Sequence, residues 1–236
     1  MLQRHLPRGD YRFVELVQRG QADWLASACQ RGVTCDALVI SGHFDDGTEF
    51  YTDRFDDREF LTMHELQQAS CSASCQRPVR PAEEVYLFGC NTLKSEPRHV
   101  ATAELARSLV RSGQKPADAD RLSALLSERY GQSDRLRHVF KDVPVLYGFS
   151  SKAPLGPTAG LFLERYFQTA PAARSQAAAP APAAEPVRAG SSMIAVPGLT
   201  EADPHASFQH DMCRLADKQP RTRKSSASCT RCRSAT

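Results

Sequence analysis

Residues 37–43, ALVISGH, decide the predicted fold. The apolar run at its start, bounded by polar and turn residues, is typical of a strand buried on both faces of a parallel sheet. The same pattern recurs at residues 85–90, VYLFGC, and at residues 143–149, VPVLYGF. The intervening segments are long enough for helical crossovers between parallel strands. The sequence therefore predicts an α/β fold around a mostly parallel sheet.

The first two runs each end at a chemically versatile side chain, His43 in one case and Cys90 in the other. Open α/β sheets present their functional groups at the carboxyl ends of their strands. A thiol there can act as a nucleophile, and an imidazole can draw its proton or protonate a departing amine. Gly89 allows the tight turn that brings backbone amides near a bound carbonyl. The pattern indicates a Cys–His site, although a buried thiol and a surface imidazole would give the same pattern.

Composition excludes several classes of protein. The chain has 236 residues, of which 41% are hydrophobic, and this suffices for one core of ordinary size. A net charge of +3 from 30 basic and 27 acidic residues is too balanced for a nucleic-acid partner. No apolar stretch approaches about 18 residues, so no membrane span is predicted. The first ten residues lack the apolar centre of a secretory signal, which favours the cytoplasm.

The chain divides by composition into three parts. Residues 1–169 carry the strand and helix patterns and are predicted to form the domain. Residues 170–190 are an Ala/Pro tract with too few large apolar side chains to offset the entropy of ordering, and they are predicted to be a linker. Residues 191–236 end in a basic run and are predicted to be a poorly structured tail, because about 40 residues rarely build a core unaided.

Eight cysteines are many for a cytosolic protein of this size. Cys29 with Cys35, and Cys71 with Cys75, are candidates for local disulfides if the protein lives in the cell envelope. An export signal would then lie upstream of Met1.

Structural zinc is a further interpretation of the cysteines. It depends on Cys71 with Cys75 and on Cys229 with Cys232, because two thiolates can share one tetrahedral ion. The second pair has no further Cys or His partner at close range, and a disulfide explains the first pair equally well. We therefore predict no metal and no other cofactor.

Three blocks of sequence carry a resemblance to a known family. They are LVISGH at residues 38–43, LFGCNT at 87–92 and LYGFSSKAPLG at 146–156. In this order they resemble three successive motifs of the CHAT family, in the caspase-like clan with metacaspases, separase and gingipain. The resemblance covers roughly residues 11–167. It implies a caspase-like three-layer sandwich that lacks part of its N-terminal sheet, since that fold normally has another strand and helix before the histidine strand.

The resemblance also implies a function. His43 and Cys90 would form the catalytic dyad of a cysteine-type endopeptidase acting on a polypeptide substrate. The oxyanion hole would use the backbone amide of Cys90 and that of Phe44 or Gly42. The family carries His-Gly, whereas here glycine precedes the histidine, so the second donor stays open. No acid stands just before Cys90, and the substrate preference stays unassigned.

The main alternative is a catalytically inactive CHAT-like scaffold that binds a regulatory protein partner, because proteins that share a fold need not share an activity.

Other polar residues are expected to have structural roles. His64 is expected at the surface of a helix, and Thr92 is expected to cap a helix after the cysteine. A group of acids after His43 is expected to be a solvated loop or the border of a pocket for a Lys or Arg side chain. These acids are Asp45, Asp46, Asp53, Asp56 and Asp57.

Overall fold

The computed structural model describes residues 12–14, 33–45, 48–52, 60–71, 82–94, 102–129, 132–154, 156–161, 192–203 and 213. Its strands are β1 (Ala37–Ser41), β2 (His43–Asp45), β3 (Glu49–Tyr51), β4 (Phe60–Thr62), β5 (Glu84–Phe88), β6 (Val145–Phe149) and β7 (Met193–Val196). Its helices are α1 (Met63–Cys71), α2 (Thr102–Arg111), α3 (Pro116–Arg129) and α4 (Gln132–Val139). Residues 156–161 are also helical.

The larger sheet has four strands in the order β1-β5-β6-β7. Strands β1, β5 and β6 run parallel, and β7 pairs antiparallel with β6. The predicted mixed α/β fold with a mostly parallel sheet is therefore confirmed. The main core lies against this sheet, where Leu87 and Leu146 form one buried cluster with Met63 of α1 and Phe140 after α4.

Strand β1 differs from its prediction. Leu38 and Ile40 are buried, but Val39 between them is 42% exposed, so only one face of the strand packs on the core. The reason is position, because β1 lies at the edge of the sheet among the described strands. The central strand β5, by contrast, buries three consecutive residues, Val85, Tyr86 and Leu87. An apolar run alone does not distinguish these two environments.

The segment after β1 forms a second sheet. Strands β2, β3 and β4 are antiparallel and adjacent in that order. His43 pairs with Tyr51, and Glu49 pairs with Thr62. Strand β4 of this small sheet ends at Thr62, and α1 begins at the next residue. The sheet that contains His43 is therefore joined directly to the first core helix.

A capping box begins α1. The hydroxyl of Thr62 accepts the Glu65 N–H at 3.1 Å, and the Glu65 carboxylate accepts the Thr62 N–H at 2.9 Å. Burial raises the pKa of Glu65, and the hydrogen bonds from Thr62 oppose that shift.

One residue of this helix contradicts the sequence analysis. His64 is only 5% exposed and has its Nε2 3.4 Å from Nε2 of Gln114, so the surface position predicted for it was wrong.

Residues 192–203 differ from the poorly structured tail predicted for residues 191–236. Strand β7 pairs with β6 from Leu146 with Val196 to Phe149 with Met193. Beyond it, Leu199 is 1% exposed and its N–H binds the Arg137 carbonyl. The segment is too short to form a core, but it completes a sheet and a core that already exist, which the length argument did not consider. Residues 192–203 therefore pack with the sheet and with the turn after α4.

The disulfide pairing also differs from the prediction. Cys71 at the end of α1 bonds to Cys213, and Cys35 is free, so neither predicted local pair forms. Sequence spacing does not determine which cysteines meet in the folded chain. Because Cys71 is oxidised, it cannot supply a thiolate to zinc in this form. Cys29, Cys75, Cys229 and Cys232 lie outside the described residues.

Two features are absent from the described ranges. No helix there combines the length and the apolar character that crossing a membrane requires. No group of three or more His, Cys, Asp or Glu side chains placed to hold a metal ion occurs among the same residues.

Candidate active site

The two predicted catalytic residues follow the carboxyl ends of the adjacent strands β1 and β5, so their backbones lie at the same end of the sheet. The register pairs Ser41 with Phe88, and the Gly42 N–H donates to the Phe88 carbonyl at 3.0 Å. The two chains therefore leave the sheet side by side, one into His43 and the other into Cys90. Gly89 is packed tightly there, since a Cβ on it would lie 2.8 Å from the Cβ of Phe44. The backbones on either side of the predicted dyad are thus in contact.

His43 has a neighbour that the sequence did not reveal. Its ring stacks on that of Tyr51, with centroids 5.2 Å apart and planes 24° apart. The two residues are directly opposite each other on β2 and β3, a position where side-chain pairs stabilise a sheet. This stacking fixes the plane of the imidazole. The action of His43 and Cys90 as a dyad stays a prediction.

Cys90 is a free, half-buried thiol. Its Sγ accepts the backbone N–H of Ala153 at 3.4 Å. Ala153 follows β6 in the loop that carries the third block of the family resemblance. The structure therefore adds to the predicted site a donor that no side-chain pattern indicated.

Two backbone hydrogen bonds hold the cysteine turn against β6 and the loop after it. The Asn91 N–H donates to the Ser151 carbonyl at 2.7 Å, and the Leu93 N–H donates to the Phe149 carbonyl at 3.0 Å. Asn91 has a φ of 58°, a left-handed conformation that asparagine tolerates better than most residues. The turn is thus fixed on both sides of its left-handed residue.

Thr92 has a different role from the helix cap predicted for it. It is fully buried, and its hydroxyl oxygen accepts the Phe149 N–H at 3.0 Å. The same hydroxyl lies 3.3 Å from the carbonyls of Leu87 and Gly89, to which it can donate. Residues 90–93 form turns, and this hydroxyl ties them to β6. A Cβ at Gly148 would lie 2.7 Å from the Thr92 oxygen, so the neighbouring strand needs glycine there.

Replacing Thr92 by valine is expected to lower the free energy of unfolding by about 1–3 kcal/mol, because the buried Phe149 N–H would lose its acceptor. Valine matches threonine in shape, so the loss reports the hydroxyl. Thr92→Ser keeps that group and is the matched control, with a smaller expected loss. Urea denaturation followed by circular dichroism measures both. Equal stabilities for the wild type and Thr92→Val would contradict the role given to this hydroxyl.

The amides predicted for the oxyanion hole do not all remain available. The Gly42 N–H is already donated to the Phe88 carbonyl, so it cannot also bind an oxyanion. Phe44 is buried and packs on Phe50 with ring centroids 4.4 Å apart. The amides of Cys90 and Phe44 remain the predicted donors.

A cleft of about 170 Å³ adjoins Tyr51 on the second sheet. Its lining residues are Thr48, Glu49, Tyr51, Phe60, Glu104, Arg107 and Arg111. Glu49 is buried and paired with Arg111, whose guanidinium lies 4.2 Å from the centre of the Phe60 ring. Glu104 is paired with Arg107 at 3.6 Å. The acids of this cleft are therefore matched by arginines.

The predicted acidic pocket border is not tested. Asp45 contributes its backbone to β2, and its side chain lies outside the description. Asp46, Asp53, Asp56 and Asp57 lie outside the described residues altogether.

Comparisons of the chain with protein-family models, with curated proteins and with solved structures gave no significant match.

Proposed function

We propose that this protein is a cysteine-type endopeptidase with a caspase-like sandwich fold, in which Cys90 is the nucleophile and His43 its proton partner. The observation that carries the proposal is the environment of Cys90. This free thiol lies in a hydrogen-bonded turn at the carboxyl end of a central strand and accepts the Ala153 N–H. It follows Gly89, which packs against Phe44, the residue after His43. The order of the three sequence blocks supports the same function.

The proposed reaction uses only groups of this chain and water. His43 takes the proton of the Cys90 thiol, the sulfur attacks the carbonyl carbon of a peptide bond, and the amides of Cys90 and Phe44 bind the resulting oxyanion. The C–N bond then breaks as the His43 imidazolium gives its proton to the departing amine. Water, deprotonated by His43, attacks the thioester, releases the new carboxyl group and regenerates the thiol. No cofactor takes part in these steps.

The reactivity of Cys90 and Cys35, the two cysteines that are free among the described residues, tests the proposal. Iodoacetamide at neutral pH is expected to label Cys90 roughly ten-fold or more faster than Cys35, because reactivity follows the thiolate. Cys35 is the matched internal reference, since burial and the nearby Asp36 raise the pKa of its thiol. Peptide mass spectrometry quantifies both sites in one sample. His43→Ala is expected to slow labelling at Cys90 alone, and equal rates at the two cysteines would contradict a reactive site.

A catalytically inactive scaffold is the second candidate, and one observation favours it. The Gly42 amide is engaged within the sheet, and the residue after His43 is a bulky phenylalanine rather than the glycine of the family pattern. Such a domain would bind its protein partner without cutting it. Labelling of Cys90 no faster than that of Cys35 would favour this candidate, because a scaffold does not require a reactive thiol.

A further inference from the structure

We infer that Ser192, in the segment after the Ala/Pro tract, is a positioning residue for the Ala153 amide at Cys90. The inference rests on the proposed function, because it concerns the donor to the proposed nucleophile. It makes residues 192–203 part of the reactive site, and it links the far end of the chain to the thiol through a few specific hydrogen bonds.

The loop at residues 150–153 is held from two sides. Ser150 donates its N–H and its hydroxyl to the Ser192 carbonyl at 2.9 and 3.0 Å, and the Ser192 hydroxyl donates to the Lys152 carbonyl at 3.2 Å. The alternate residues face the cysteine turn. The Ser151 carbonyl accepts the Asn91 N–H, and the Ala153 N–H binds the Cys90 sulfur. The loop therefore lies between Ser192 and the cysteine turn and is hydrogen-bonded to both.

One peptide unit joins the two ends of this arrangement. The carbonyl of Lys152 and the N–H of Ala153 belong to the same planar group. Ser192 binds its oxygen, and Cys90 accepts its hydrogen. The serine hydroxyl therefore fixes the orientation of this peptide plane. It also polarises the amide, since hydrogen bonds in a chain strengthen one another.

Ser192 is itself held in place by the rest of its segment. It directly precedes β7, which is paired with β6 over four residues. Farther along, Leu199 is buried, and the Gly198 N–H donates to the Val143 carbonyl at 3.0 Å. The disulfide between Cys71 and Cys213 ties the following chain to the end of α1. The residues that follow Ser192 in the chain contact the sheet, the turn after α4 and α1, and these contacts set the position of Ser192.

The test compares three variants of the full chain: Ser192→Ala, Ser192→Thr and Thr200→Ala. We expect Ser192→Ala to slow alkylation of Cys90, relative to Cys35, by about three- to ten-fold, as one lost hydrogen bond would. Its rate–pH curve should also differ from that of the wild type, because the amide that contacts the sulfur is no longer held by the serine hydroxyl. Ser192→Thr keeps a hydroxyl and should stay close to the wild type. Thr200→Ala changes an exposed residue of the same segment that pairs with Asp203, and it should have no effect on either readout.

The outcomes separate this inference from the proposed function. If wild-type Cys90 reacts no faster than Cys35, the proposed peptidase fails, whereas a slower Cys90 in Ser192→Ala would still support the positioning role. If wild-type Cys90 reacts fast and Ser192→Ala leaves its rate and its rate–pH curve unchanged, the positioning role is wrong and the peptidase stands. Equal slowing by Thr200→Ala would indicate general loosening of the segment and would also overturn the inference.

Discussion

Replacing Cys90 by alanine is expected to lower the rate of peptide cleavage by about a thousand-fold or more, because the group proposed to form the acyl intermediate is lost. The assay is cleavage of a mixed peptide library read by mass spectrometry, since the preferred sequence is not assigned. Alanine removes only the sulfur, and its methyl group fits the half-buried site. The wild type and the variant should therefore have nearly the same unfolding midpoint.

Cys35→Ala is the matched control for this experiment. It removes a second thiol that is free among the described residues, and cleavage should continue at the wild-type rate because Cys35 precedes β1, at the opposite end of that strand from His43. Cleavage that persists in Cys90→Ala would show that this thiol is not the nucleophile. Labelling of Cys90 without any cleavage by the wild type would favour the inactive scaffold.

Much of the larger sheet could be predicted from the sequence, because a buried central strand is encoded by an uninterrupted run of apolar residues. Residues 85–88 lie in the middle of the sheet, and their uninterrupted apolar run is what burial on both faces requires. Pro144, which has no backbone N–H to donate within a sheet, directly precedes β6. For β1 the same kind of run was misleading. Its exposed Val39 reflects which strands lie beside it, and local sequence does not contain that information.

The candidate site was only partly predictable, and the missing parts share a physical cause. Adjacent parallel strands bring their carboxyl ends together, so the sequence could place His43 and Cys90 at one edge. The stacking of Tyr51 depends on the register of β2 with β3. The donor at Ala153 is a backbone group, which every residue except proline has, so residue type gives no indication of it.

The C-terminal segment was missed because its stability comes from distant parts of the chain. The four residues of β7 would not hold a strand conformation alone, and they do so on an existing edge of β6. The bond between Cys71 and Cys213 spans a sequence separation of 142 residues, which no local spacing rule covers. Both features attach residues beyond the Ala/Pro tract to the sheet and to α1.

Gly198→Ala is expected to lower the free energy of unfolding by about 3 kcal/mol, because a well-packed interior does not accommodate an added methyl group without displacing its neighbours. A Cβ at this position would lie 2.1 Å from the Phe140 carbonyl oxygen and 3.0 Å from that of Val143. Both are backbone atoms of the turn after α4, so relief requires the C-terminal segment to move away. That movement would break the hydrogen bond from the Gly198 N–H to Val143.

The same variant is expected to slow alkylation of Cys90, since displacing the segment withdraws Ser192 from the Lys152 carbonyl. Gly156→Ala is the matched control, because a Cβ there meets nothing within 4 Å and the residue is helical. It should be neutral or stabilise the protein by about 0.5–1 kcal/mol, as alanine does in place of a helical glycine. Urea denaturation and the alkylation rate are measured on both variants. If Gly198→Ala matched the wild type in both, residues 192–203 could not be packed on the turn after α4, and their link to the reactive thiol would be lost with that contact.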